Sequence, residues 1–336
     1  HVVRYERSYA GKLAPGEQLP PDTPLIPNVH TRTSRITNLA VDMRRAWAEE
    51  FTVARSGAVD EFARKRARND YPVMALWEMG LRSMRVPVQD IADERVRRRM
   101  ELMTSVGHCF QVYCYGLPDR ATTNLLIRHA GLVTALEIVV NWEDFASLHA
   151  QLADLHAATG IEICLSRVNR KDASKVSGKQ YNHLISHGFG LGELDEVSAT
   201  LDREDNGKAV RRIMVSIPRE MCPWQATAQA SAHAAAIGRD LTLYVKSTSA
   251  SPAEAFTNDD ANAERFLKTA FASIAHPELH LIIDAFTDAD RGYFVRTGLV
   301  DSRYNPRLGG KLLRQFMDAI AAEDGWQAAA GDGRIS

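Results

Sequence analysis

Short apolar runs rich in β-branched residues alternate along this chain with longer segments in which apolar residues recur every three or four positions. The short runs predict strands at 84–88, 110–114, 136–140, 161–165, 182–186, 212–216, 241–245 and 279–283. The longer segments predict helices at 93–105, 120–130, 143–156 (stopped by Gly160), 193–203, 224–237, 259–275 and 308–322. Helix is hardest to see in the polar stretch after 165. Upstream, Trp47, Phe51, Ala54, Ala58 and Phe62 recur at helical spacing, so 37–70 reads as helix, although Gly57 weakens it. Residues 11–27 hold five of the 13 prolines without periodicity and read as a linker or strap.

Strand–helix alternation favours parallel pairing, because a parallel crossover needs the length of a helix to return. Eight such units suit a closed (β/α)8 TIM barrel, an α/β fold, better than an open doubly wound sheet. An open sheet usually carries a Gly-rich phosphate turn after its first strand, and here Val88-Gln89-Asp90-Ile91 stands in that place. The expected organisation is an N-terminal extension or tail of a preceding domain over 1–40, the barrel over 41–325, and a disordered tail over 326–336.

Composition narrows the functional classes. The 336 residues suffice for one large core, and a net charge of −1 gives no general field for nucleic acid or an anionic membrane. No apolar run approaches the roughly 20 residues of a membrane helix. The opening His1-Val2-Val3-Arg4-Tyr5 has neither an initiating Met nor a signal-peptide core. The chain therefore reads as a fragment of a longer multidomain product, with an N-terminal domain of that product as a partner. Cys109, Cys114, Cys164 and Cys222 lack CxxC spacing and read as core filler in a reducing, cytoplasmic setting. The nucleophile elbow, Walker loop, HExxH and Rossmann fingerprints are all missing, so no cofactor and no metal are expected.

In this fold the residues just past each strand line one mouth, and chemistry gathers there. The sharpest pair is Glu143, after the third predicted strand, and Glu220, after the sixth. On that count they face each other and could divide acid/base and nucleophile roles, as glycoside cleavage requires. Glu143 also suits a helix start and Glu220 a loop between prolines, so each has a structural alternative. Asn141, Trp142, Arg167, Asn169, His187, Arg219, Trp224, Lys246, Asp284, Asp288, Arg291 and Tyr293 complete the expected substrate-binding ring. Within it, Trp142 and Trp224 could stack on sugars or simply pack. His187 could serve as an acid or a ligand, while His183 lies in a strand and reads as a core residue. Arg167, Arg170, Lys171 and Lys175 form a basic exit that could take a phosphate or carboxylate, or be solvated. Asp284, Asp288 and Asp290 with Arg291 could form a loop-fixing network.

Near the C-terminus, Asp290-Arg291-Gly292-Tyr293-Phe294, followed by Gly298-Leu299-Val300-Asp301 and Asn305-Pro306-Arg307, resembles the ending of many glycoside hydrolase barrels. There such a segment leads from the last strand into the final helix. Arg85-Val86-Pro87-Val88 is similar to a strand near the start of those barrels. The resemblance implies the barrel fold, an Asn-Glu pair ending strand four and a Glu ending strand seven. On the sequence count, strand four ends Ser166-Arg167-Val168-Asn169-Arg170 and strand seven ends Lys246-Ser247, neither with a carboxylate. Asn141-Trp142-Glu143 and Glu220 have the same separation but sit one strand early.

The expectation is a barrel hydrolase acting on a glycoside or related sugar derivative through Glu143 and Glu220. The alternative is a catalytically inactive barrel serving as a carbohydrate-binding or accessory module of a larger protein. A third is a sugar-phosphate or phosphodiester enzyme using the basic loop after 165.

Overall fold

The computed structural model describes residues 36–43, 47–52, 66–169, 186–204, 209–247, 258–288 and 296–322. Eight parallel strands close a barrel: β1 (Leu39–Asp42), β2 (Ser83–Pro87), β3 (Cys109–Tyr115), β4 (Val133–Val140), β5 (Ile163–Arg167), β6 (Val210–Ile217), β7 (Asp240–Val245) and β8 (His280–Ile283). Neighbours in sequence are neighbours in space. β1 closes the ring by pairing with both β8 and β2.

Each strand sorts its side chains by parity, because successive residues point to opposite faces. One parity, including Val41, Val86, Val112, Ile138, Leu165, Val215, Leu243 and Ile283, joins a single large core with the surrounding helices. The other parity supplies a small separate cluster of Ala40, Cys164, Met214, Tyr244 and Ile282 inside the barrel. It also carries the buried polar residues Arg85, Gln111, Glu137, Ser166 and Thr242. The interior is therefore polar where an ordinary barrel interior is packed with branched aliphatics.

The described helices are α1 (Tyr71–Glu78), α2 (Gln89–Ala92), α3 (Glu94–Thr104), α4 (Arg120–Arg128), α5 (Phe145–Thr159), α6 (Leu194–Glu204), α7 (Pro223–Ile237), α8 (Asp259–Ala275) and α9 (Leu308–Ala322); α3 to α9 lie close to the segments their periodicity predicts, whereas α1 and α2 are not anticipated. Their starts follow capping chemistry. Asp93 accepts from the amides of Arg95 and Val96, Asp119 from Thr122, and Asn258 from Ala261, each satisfying donors that a helix start leaves open. Gly160 takes the left-handed conformation that ends α5, as its position predicts.

Two expectations fail, and both concern the strand count. The stretch 37–70 is not one helix. It holds β1, the buried Trp47, and the antiparallel pair of Glu50–Thr52 with Arg66–Arg68. Four buried residues, Leu39-Ala40-Val41-Asp42, are too few to announce a strand beside longer helix-like spacing. The described ring also closes without the fifth predicted strand, at 182–186. β5 pairs directly with β6, through Ile163↔Val210 and Leu165↔Ile213, which leaves no place for it. Residues 182–185 lie outside the described residues. Just beyond them, single bridges tie His187 to Val168 and Phe189 to Val215.

The glycosidase-like C-terminal segment earns its residues structurally. Asp301 accepts from the amides of Arg303 and Asn305 and from the Asn305 side chain, making a closed turn. A Cβ on Gly298 would come within 2.7 Å of the Thr287 carbonyl carbon, so only glycine lets the segment lie against the β8 exit. Arg307 then bridges Asp288, 3.0 Å away, and Asp259. The segment locks β8, α8 and α9 together. Its first part, Asp290 to Phe294, lies outside the described residues, along with Val295.

Candidate active site

The inward parity brings an ionic network together near the carboxyl ends of the strands. Register sets Asp42 beside Arg85, and Tyr113 beside Glu137. Arg85 donates from Nε to Glu137 Oε2 at 2.6 Å and from Nη1 to Asp42 Oδ2 at 3.0 Å. Its guanidinium carbon lies 3.9 Å from the Tyr113 ring centroid and 5.3 Å from that of Tyr244. Tyr244 Oη lies 2.5 Å from Asp42 Oδ2 and 2.7 Å from Asp284 Oδ1. Asp284 Oδ2 accepts the Ser247 amide. These side chains are almost wholly withdrawn from solvent, with Asp42 and Arg85 2% exposed and Glu137 and Asp284 0%.

His187 enters from the β5 exit. Its Nδ1 lies 3.2 Å from Glu137 Oε1 and 3.4 Å from Ser166 Oγ, and its ring centroid is 4.5 Å from that of Tyr244. Gly188 makes the approach feasible: it sits at φ +95°, and a Cβ there would lie 2.9 Å from the Ser216 amide nitrogen.

Burial opposes every charge in this network, and the partners decide each outcome. Burial alone would raise the Glu137 pKa, but Arg85 and His187 outweigh it and hold it at about 2. Burial disfavours a charged Arg85, yet Glu137 and Asp42 keep it firmly protonated. For His187, burial and the nearby Arg85 prevail over Glu137, so its pKa falls and the neutral imidazole is favoured. Asp90, just past β2, differs: burial lifts it to about 7, against the Trp47 indole that donates to it at 2.7 Å.

The corrected count relocates the predicted site residues. Asn141-Trp142-Glu143 follows β4 rather than a third strand. Glu220 follows β6, two strands on, so Glu143 and Glu220 do not face each other across the mouth. Both are exposed. Lys246-Ser247 still ends β7, because the missed first strand and the surplus fifth offset each other.

The surrounding residues are mostly engaged. Arg167 makes a bidentate pair with Glu193 at 2.6 and 2.7 Å, so it is a loop brace rather than an open anion receptor. Asn169 bridges Arg167 and Ser186, and Asn141 donates to Asp144. Trp142 packs on Phe145 and edge-on against Phe189, with centroids 5.0 and 5.1 Å away, and Trp224 is half-buried against the core. Lys246 donates to Ser186. The Arg219 carbonyl belongs to a cluster gathered by Arg265 of α8, which donates to the carbonyls of Pro218, Arg219, Met221 and Lys246 at 2.6–3.0 Å. That clamp shapes the loop bearing Glu220. Asp288 is spent on the Gly298 amide and Arg307. Arg170, Lys171, Lys175, His183, Asp290, Arg291 and Tyr293 lie outside the described residues. Among the described residues no group of three or more His, Cys, Asp or Glu could hold a metal ion, and no helix is long and apolar enough to cross a membrane.

No family model matches the chain, and no curated protein sequence matches it significantly. Solved structures do share its architecture. A family 39 glycoside hydrolase from the gut symbiont Bacteroides cellulosilyticus superposes with a TM-score of 0.51 at 11% identity, over 86% of this chain. The chain shares the (β/α)8 barrel architecture of that structure. It spans 65% of the length of that family 39 structure. Two further structures have lower TM-scores. The GH5_18 protein from Streptomyces cattleya, in complex with Manβ1-4GlcNAc, reaches 0.45 at 13% identity, over 76% of this chain and 75% of that one. The carboxyl transferase domain of Rhizobium etli pyruvate carboxylase reaches 0.40 at 11% identity, over 76% of this chain and 41% of that one.

Sequence reasoning missed the inner network: Asp42, Arg85, Tyr113, Glu137 and Tyr244. Its signal was present, as a polar residue at alternating positions inside apolar strands (Arg85 between Met84 and Val86, Glu137 between Leu136 and Ile138). Two-residue periodicity puts such residues inside a closed barrel.

Proposed function

We propose that this barrel is a hydrolase acting on a glycoside or related sugar derivative, with Glu143 as its acid/base group. The observation that supports it is the position of Asn141-Trp142-Glu143 immediately after β4. That is where the glycosidases that the sequence resembles carry their Asn-Glu pair. Glu143 is exposed and thus reachable by a substrate, as a proton donor to a leaving group must be. Glu220, on the loop clamped by Arg265, would be the second carboxylate. Asn141, Trp142, Arg219, Trp224 and Lys246 would meet the sugar. The four cysteines are free thiols, which fits a reducing, cytoplasmic setting.

The test is turnover of a panel of aryl glycosides by wild type, Glu143→Gln and Glu220→Gln. Loss of acid/base assistance should lower kcat/KM by about 100-fold or more in Glu143→Gln. Turnover near that of wild type in that variant removes Glu143 from the chemistry.

One observation favours a second reading, a non-catalytic carbohydrate-binding or accessory barrel working with a preceding domain of the same product. β7 leads into Lys246-Ser247, without the carboxylate that retaining chemistry needs. Calorimetric binding of oligosaccharides without turnover, unchanged in Glu143→Gln, would select it.

A further inference from the structure

His187 stands at the mouth with its two ring nitrogens in different settings. Nδ1 meets buried groups, Glu137 Oε1 at 3.2 Å and Ser166 Oγ at 3.4 Å. The other nitrogen, Nε2, has no hydrogen-bond partner among the described residues, and it is not one of the polar atoms sealed from solvent. We propose that His187 is a general base of the barrel mouth: Nε2 takes a proton from water or from a bound substrate, while Glu137 holds the ring by its other nitrogen.

The tautomer follows from Glu137. Its Oε2 accepts from Arg85 at 2.6 Å, and that cation helps to keep the carboxylate ionised. Its Oε1 is sealed from solvent without a well-aligned donor, and a buried anionic oxygen left in that state is costly. His187 Nδ1 is the nitrogen within reach of it. A neutral imidazole carries one N–H, so a proton kept on Nδ1 beside the carboxylate leaves Nε2 as a bare lone pair. Burial and the nearby Arg85 keep the ring neutral and therefore able to accept. When Nε2 takes a proton, the imidazolium that forms faces an anion at Nδ1, which stabilises it during turnover. The Tyr244 ring, with its centroid 4.5 Å away, packs on the imidazole, so the base is oriented before a substrate arrives. Glu137 is thus a positioning residue and His187 the group that meets the proton. The role goes beyond glycoside cleavage and holds whether or not Glu143 performs it.

A nitrobenzisoxazole tests the base without reference to sugars. Nε2 would remove the proton on the ring carbon, the C–H electron pair would complete a nitrile, and the N–O bond would break with its pair on the phenolate oxygen. Wild type should accelerate this ring opening, and His187→Gln should lower kcat/KM for it by about tenfold or more. Equal rates in the two proteins, or no acceleration by wild type, would overturn the proposal. Nitrogen-15 spectra of wild type, with the imidazole assigned through bonds from its own backbone, do not depend on the folding of any variant. At neutral pH the His187 ring should carry its proton on Nδ1 with Nε2 unprotonated. A proton on Nε2, alone or in an imidazolium, would overturn the assignment. Glu137→Gln removes the anion and should shift the His187 tautomers toward Nε2–H, and an unchanged spectrum would take the positioning role from Glu137.

Discussion

Between β1 and β4 the guanidinium of Arg85 is shared by Asp42 and Glu137, with Tyr113 stacked on one side. Among the described residues Arg85 is the cation paired with both buried carboxylates, so its removal takes an ion-pair partner from each of them. Breaking a buried pair by removing one partner costs about 3–5 kcal/mol, because the remaining charge is uncompensated. Arg85→Met should therefore lower the urea-unfolding free energy by at least that range, whereas Arg85→Lys, which keeps the charge but loses the fork, should cost less. Equal stability of Arg85→Met and wild type would mean the network is not formed. Asp90 offers a second readout at this scale. Its carboxyl, lifted by burial to about 7, accepts from Trp47. Ionisation should change the indole's environment, so fluorescence should titrate with a midpoint near that value and lose the transition in Asp90→Asn. A flat profile for wild type would show that Asp90 is already ionised.

At the scale of elements, legibility followed length. The helices at 259–275 and 308–322 were readable from spacing alone, because 15 to 17 residues repeat the pattern over several turns. β1 was not, since four residues carry barely two alternations and their neighbours mimic a helix. The segment 186–190 illustrates the opposite error. It carries isolated bridges, to Val168 just past β5 and to Val215 of β6, without forming a strand of its own. Gly188 is the residue that permits this path, as its φ is +95° and Ser216 lies against the space a Cβ would need. Gly188→Ala should cost about 1–3 kcal/mol through the positive φ and the backbone clash together. It should also displace His187 from Glu137, which imidazole nitrogen shifts would report as a rise of the His187 pKa toward its ordinary value. An unmoved His187 resonance would show that the turn tolerates a side chain.

For the whole molecule, the barrel was legible because seven of its eight strands were strongly apolar on the outward parity; the interior was not, because Arg85 and Glu137 gain their meaning only when the ring closes. The placement of Glu143 directly opposite Glu220 depended on the same closure, since position around the mouth follows from counting every strand, and the two stand after β4 and β6. The closed interior also fixes how the fold responds to acid. Burial depresses His108 and His280 to about 4 and lowers His187, while the unfolded chain keeps each near its ordinary 6.5. A depressed pKa contributes stability that is present above the unfolded value and lost as pH falls toward the folded one. Glu137, held at about 2 against an ordinary 4.5, extends the same loss to lower pH. Asp90, raised to about 7, acts in the other direction, since its neutral form favours the fold as pH falls through that value. Three histidines and Glu137 outweigh it, so unfolding should take up protons on balance below about pH 6, and the urea midpoint should drop steadily from there to about pH 3. Replacing His108, whose ring stacks on Trp77, by Gln should shallow the upper part of that descent, because one proton uptake disappears. A midpoint independent of pH across this range would mean that these histidines titrate in the fold as they do in water.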